Sequence, residues 1–326
     1  AAFAFTPPEK SLTAGVLITS PQLSPCGFII SPVAPARSEI RLHFPAHHAE
    51  FIPAGGLCPA FERFPLDFSE GYIGRFRGIA ALYGFESLRR LRDSRVCLVG
   101  VGGVGSWAAE SLARSGVGHL TLVDPEAIEL GNINRQLHTL TSTVGRGKAG
   151  VLGERLMDIN PELDLSVRRE LLTKENVSSI ITPETSAVSD AIDSVPDKAA
   201  LIAYCVKNSI PVISAGGAGG RTDPSKIVTV DLGLSQNDRL ASCLRTELRS
   251  RWGFPKGAGK KFGVTLVHST ESAVLPSKIM SEGEYQELTG IYAPDRLRFG
   301  QSMAVTASVG LMVSAEIIRI LLGQKK

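Results

Sequence analysis

Cysteine is scarce and unpaired in this 326-residue chain. There are five, at positions 26, 58, 97, 205 and 243, and no C-x-x-C pair among them. That excludes a disulfide scaffold and any zinc ribbon built on cysteine pairs, and it fits a reducing compartment. Acid is nearly missing from the start: the first 38 residues hold only Glu9, against eight Ser or Thr. Residues 1–68 also take 10 of the 19 prolines, and scattered prolines remove helix and ladder hydrogen bonds. An irregular leader is expected there. Its composition is that of an organellar transit segment, directing the chain to a plastid or mitochondrion. A linker or untranslated stretch is the alternative, with a cytoplasmic protein. No long apolar run is free of charge. The longest, Val305 to Leu322, carries Glu316 and Arg319 and reads as a core-facing helix, so no membrane span is expected. No internal repeat is present, and a net charge of +3 is too small to name a partner.

Hydrophobic residues make up 43%, enough in a chain of this length to build a large core without a staple. From Glu70 onward the pattern is regular. Strands are expected at 95–99, 119–124, 165–169, 187–192 and 211–215. Helices are expected at 107–115, 148–159 and 197–208. Alternation of this kind implies an α/β, Rossmann-like, mostly parallel sheet with helices on both faces. After Gly216 the rhythm changes to a strand at 226–232 and a basic helix, a mixed C-terminal extension. The expected main domain is 70–323, with its C-terminal region from about residue 221.

Gly100-Val-Gly102-Gly103-Val-Gly105 follows the first strand and opens a helix. In that setting G-x-G-x-x-G marks a nucleotide loop. Glycines let backbone approach phosphate, and the helix start offers free N–H groups. Asp124 closes the second strand, where a carboxylate can accept from ribose hydroxyls. The loop itself does not separate NAD from ATP. Arg135 and Lys148 follow closely and suit a triphosphate, whose charge must be neutralised during attack at phosphorus. Asp193 lies past the fourth strand, at the carboxyl edge of the sheet, and could hold the Mg2+ that accompanies ATP. The alternative for Arg135 and Lys148 is surface charge; for Asp193 it is a helix cap ahead of Pro196.

GVGGVGSWAAESLARSGVG, LTLVD, NINRQ, VGRGKA, INPE and DAIDS occur in an order that resembles the E1-like, ThiF-type adenylating enzymes. The segments from Ser106 to Glu110, Lys198 to Cys205, Gly216 to Arg221 and Ser269 to Glu271 are similar to the tRNA threonylcarbamoyladenosine dehydratase branch. The resemblance covers about Gly71 to Gly323. It implies a ligase-type, ATP-dependent cyclisation of N6-threonylcarbamoyladenosine at position 37 of tRNA, through a carboxyl-adenylate. It also implies that Asp124 binds ribose, that Asn132, Arg135 and Lys148 hold phosphates, and that Asp193 holds magnesium. These enzymes often take an arginine from a neighbouring subunit. Arg75 and Arg77 lie in the corresponding region, an arm at Gly71 to Ala81, so a homodimer is expected. A sulfur-transfer protein is a further expected partner. The segment 276–298 resembles the bacterial pattern poorly.

Residues 239–261 hold seven Lys or Arg against one acid, Glu247. Their net charge of +6 leaves −3 for the rest of the chain. Arg245, Arg249, Arg251, Lys256, Lys260 and Lys261, with Trp252 and Phe254 between them, can pair phosphates and stack an unpaired base. A solvated helix face is the alternative. Three rival functions remain, of which a non-catalytic binding module on this fold is opposed by the intact phosphate ligands. A ubiquitin-like or sulfur-carrier activating enzyme would need a thiol, and Cys243 is the one candidate beyond Gly220, expected to be a small buried helix residue. An NAD-dependent dehydrogenase gives no reason for Arg135, Lys148 and Asp193.

Overall fold

The computed structural model describes residues 67–291 and 299–324. The expected leader over 1–68, with its transit reading, lies outside them except for its last two residues, as does 292–298 of the segment 276–298.

A helix begins at once. Ser69 caps α1 (Glu70–Tyr83) by accepting from the Tyr72 N–H at 2.9 Å. Tyr72, Phe76 and Ala80, four residues apart, bury one stripe of it against Leu88 of α2 (Phe85–Asp93). The Tyr72 hydroxyl donates to the Gly116 carbonyl. Gly71 to Ala81 is therefore not a free arm but a helix seated on its own chain, with Arg75 and Arg77 exposed.

Seven strands form one sheet in the order β3-β2-β1-β4-β5-β7-β6. They are β1 (Arg95–Val99), β2 (His119–Val123), β3 (Asp164–Arg168), β4 (Ala187–Asp190), β5 (Val212–Ala215), β6 (Ile227–Asp231) and β7 (Thr265–Ser269). All pairings are parallel except β6 with β7. Between them run α3 (Gly105–Arg114), α4 (Lys148–Ile159), α5 (Val177–Ile180), α6 (Val195–Lys207) and α7 (Arg239–Arg251), followed by α8 (Glu282–Ile291) and α9 (Met303–Leu321). Chain order runs outward from β1 in one direction, then restarts at β4 on its other side. The helices that follow β1 and β4, α3 and α6, pack on opposite faces of the sheet, and at that switch point this topology gives ligands a crevice.

Two apolar cores cover the two sheet faces. One joins β1 and β2 to α3, α4 and α9; the other joins the sheet to α6 and α7. By length and composition α9 is apolar enough to cross a bilayer, but it packs as the core-facing helix expected. Here Val305, Val309, Val313 and Ile317 point into the core at four-residue spacing, and Glu316 pairs with Arg319 at 2.8 Å. Gly310 allows the approach to α3: a Cβ there would stand 2.4 Å from the Val104 carbonyl oxygen.

Candidate active site

The phosphate loop uses its glycines for two purposes. Gly100 has φ +82°, and a Cβ on it would meet the Ala191 oxygen at 2.8 Å; on Gly105 it would meet the Gly100 oxygen at 1.9 Å. Those two let the loops after β1 and β4 touch and let α3 start. Gly102 and Gly103 instead lie beneath side chains, Gln136 and the Arg135 stem. The loop ends in the first turn of α3, where a helix leaves N–H groups without intrahelical partners, and Val104 before it lines the crevice.

Asp124 follows β2. Its two oxygens accept from the Val101 and Glu126 N–H groups, both at 2.9 Å. Burial raises its pKa, and those N–H groups and Lys148 only partly offset the effect. Each oxygen keeps a lone pair for a donor such as a ribose hydroxyl. Lys148 opens α4, is only 4% exposed and pairs with the exposed Glu126. Asn132 is buried and its Oδ1 accepts from the Glu129 N–H, so only its amide NH2 is available to a phosphate. Arg135 donates to the Gly131 carbonyl at 2.8 Å and to Asn134 at 3.0 Å, and its guanidinium lines the crevice.

Asp193 stands exposed at the same crevice. The cap of α6 is Ser194, not Asp193, so the capping alternative fails and this carboxylate remains available. Among the described residues no group of three His, Cys, Asp or Glu forms a metal cage. One carboxylate beside a phosphate loop nonetheless suits Mg2+, which binds through one or two carboxylates plus substrate phosphates.

From Val104, Arg135, Asp193 and Thr306 the crevice continues as a cleft of about 1080 Å³ to α7. Its far wall holds Arg239, Ser242, Cys243 and Arg245. Cys243 is exposed there, a correction to the buried helix thiol expected. Sequence reasoning gave no role to Arg221. Its guanidinium is buried, donates to the Glu271 and Asn237 carbonyls at 3.1 Å each, and lies 3.8 Å from the Asp238 carboxylate. A lone arginine closing a Gly-rich run was its only signal.

The basic segment is not one free patch. Arg245 donates to the Ser235 hydroxyl, and Arg249 donates to the Pro255 and Gly257 carbonyls while its guanidinium stacks on Phe262 at 5.2 Å. Arg251 pairs with Glu247 at 3.4 Å. Trp252 is half-buried against the α6–α7 core with its ring N–H inside, and Phe254 is buried. The expected stacking role of these two rings is thus corrected: apolar packing has taken them. Lys256, Lys260 and Lys261 are exposed.

The geometry finds its match among known proteins. A model of the ThiF family matches residues 76–326. The chain belongs to the ThiF family. Membership bears out the resemblance and excludes the dehydrogenase reading. The chain is 42% identical over 256 residues to the tRNA threonylcarbamoyladenosine dehydratase of Escherichia coli (strain K12), covering 77% of this chain and 94% of that protein. The crystal structure of the E. coli tRNA N6-threonylcarbamoyladenosine dehydratase in complex with ATP matches with a TM-score of 0.70 at 41% identity, over 78% of this chain and 96% of that one. Its AMP complex matches with a TM-score of 0.70 at 41% identity, over 78% of this chain and 97% of that one.

Proposed function

We propose that this chain is an ATP-dependent tRNA threonylcarbamoyladenosine dehydratase. The threonyl carboxylate of the modified base attacks the α-phosphorus of ATP. The bond to the bridging oxygen breaks and pyrophosphate leaves. The modification's own carbamoyl group then attacks the acyl carbon. AMP departs with one former carboxylate oxygen, a proton is released and a ring closes, so the base has lost one water. Adenylation turns a poor leaving group into a good one, and closure within one molecule replaces a covalent enzyme intermediate by proximity.

The observation that carries this reading is the shape of the cleft. It runs from Arg135 and Asp193 to α7, and Asp124, Asn132 and Lys148 lie outside its lining. With ribose at Asp124, a carboxylate on tRNA reaches the phosphates from the α7 side. Arg135 and Lys148 hold the triphosphate and offset the charge that grows as pyrophosphate departs. Asp193 would hold Mg2+, which would screen the phosphate oxygens. The modified base enters beside α7, while Lys256, Lys260 and Lys261 meet the anticodon-arm backbone.

A homodimer belongs to the same proposal, because Arg75 and Arg77 project from α1 into solvent, where a second copy can use one of them. Light scattering that found a fully active monomer would contradict it. The reaction is tested by pyrophosphate release. It should be stimulated by tRNA carrying the uncyclised modification and not by the same tRNA lacking it. Cys243 at the cleft wall keeps protein activation as the second reading, and release stimulated by a carrier-protein C-terminus would favour it.

A further inference from the structure

A buried ammonium sits behind the crevice, and the reaction proposed above makes no use of it. Lys198, on α6, is 0% exposed. Its Nζ lies 2.9 Å from the Asp190 carboxylate and also donates to the Ile192 carbonyl at 3.0 Å and to the Asp190 carbonyl at 3.3 Å. Asp190 is equally buried. It accepts from the Ser214 hydroxyl on β5 at 2.8 Å and from the Ile192 N–H at 3.2 Å. One cation thus ties α6 to the two carbonyls that flank Ala191, and Ala191 is the residue Gly100 touches. Asp193 follows directly.

A buried ion pair is weak support for stability, because desolvation offsets the attraction. An apolar pair would fill this space. It could not fix the carbonyls of Asp190 and Ile192 at the mouth of the crevice. We propose that Lys198 is a positioning residue: its ammonium sets the turn from Asp190 to Asp193 against the phosphate loop, and so places the Asp193 carboxylate. The proposal rests on the reading of Asp193 as the magnesium ligand.

Lys198→Met alone would strand the buried Asp190 charge and can fail to fold. The test is therefore Asp190→Asn with Lys198→Met, which leaves no unpaired charge but removes the tie to both carbonyls. Two readouts are needed besides turnover. The first is Mn2+ affinity in the presence of a non-hydrolysable ATP analogue, followed by electron paramagnetic resonance. The second is amide hydrogen exchange over 190–194 without nucleotide. The double variant should fold, bind tRNA as the parent does, bind Mn2+ about tenfold more weakly, as loss of a supporting partner does, and exchange faster at 191–193. Parental exchange in the folded double variant would overturn the proposal. So would parental Mn2+ affinity when Asp193→Ala has lost it. If Asp193→Ala itself binds Mn2+ normally, the metal reading of Asp193 falls, and the exchange rates alone decide Lys198.

Discussion

The two ends of the cleft commit their charge differently. At the nucleotide end, Lys148 is held by one exposed carboxylate, Glu126, which a phosphate can replace, and Asp193 is exposed. At the far end, Arg245, Arg249 and Arg251 are bound to a hydroxyl, backbone carbonyls and an acid, while Arg239 is exposed at the cleft wall. As sequence the far end looks much the more cationic of the two. Of the seven cations in 239–261, three are tied to their own chain, and among these Arg249 closes the turn after α7. A count of Lys and Arg reports charge, not its availability.

That contrast is broken most directly by Arg135→Ala and Lys148→Ala. Each should lower adenylate formation about a hundredfold or more, by loss of charge on the transferring phosphoryl group. Tight tRNA binding should survive in both. Near-normal pyrophosphate release by both variants would show that the nucleotide end is not what holds the phosphates.

The far end gives the next largest effect, on stability. Trp252→Ala should cost roughly 3 kcal/mol, because it removes half-buried ring surface from the α6–α7 core. The protein that remains folded should bind tRNA nearly as before. Chemical denaturation paired with a binding titration separates the two roles. A stable variant with weak tRNA binding would restore the stacking role.

Lys256, Lys260 and Lys261 sharpen the comparison from the other side. Reversing all three should leave ATP binding unchanged and reduce the salt slope of tRNA binding by about 0.7 to 0.9 per lost contact. An unchanged slope would place the tRNA backbone elsewhere. Smaller still is Cys243→Ser, which should keep cyclisation, since the ring closes within the substrate. Loss of turnover with adenylation intact would bring protein activation forward.

A pH-dependent effect concerns His138. Burial and the nearby Lys148 hold its imidazole down to about 4, from an ordinary 6.5. The native state therefore refuses a proton that the unfolded chain accepts. Stability from this group is full above pH 6.5 and is lost as pH falls toward 4. Thermal melts across that window should show a decline, shallower in His138→Gln.

Much of the fold was legible because period and punctuation agree with it. Strands β1, β2, β4 and β5 are short apolar runs ended by glycine or acid, and the limits of α4 match the expected Lys148 to Ile159. Strand β7 was missed. Its five residues follow a Gly-Lys loop and carry no alternation of their own, and pairing between β5 and β6 makes them a central strand. Helices α1 and α2 were missed too. The charged residues of α2 hide Leu88 and Leu91, and α1 reads as an arm until Tyr72 and Phe76 find Leu88. At the site, glycine spacing revealed the loop, while Lys198, Asp190 and Arg221 depend on tertiary partners that no spacing shows.

The central claim is the reaction itself. Purified protein, ATP, Mg2+ and tRNA bearing uncyclised threonylcarbamoyladenosine are incubated, and the nucleosides are analysed by mass. The expected result is a modified nucleoside lighter by one water, with one AMP formed per ring closed and none without ATP. An unchanged nucleoside beside an active E. coli enzyme in the same assay would contradict it.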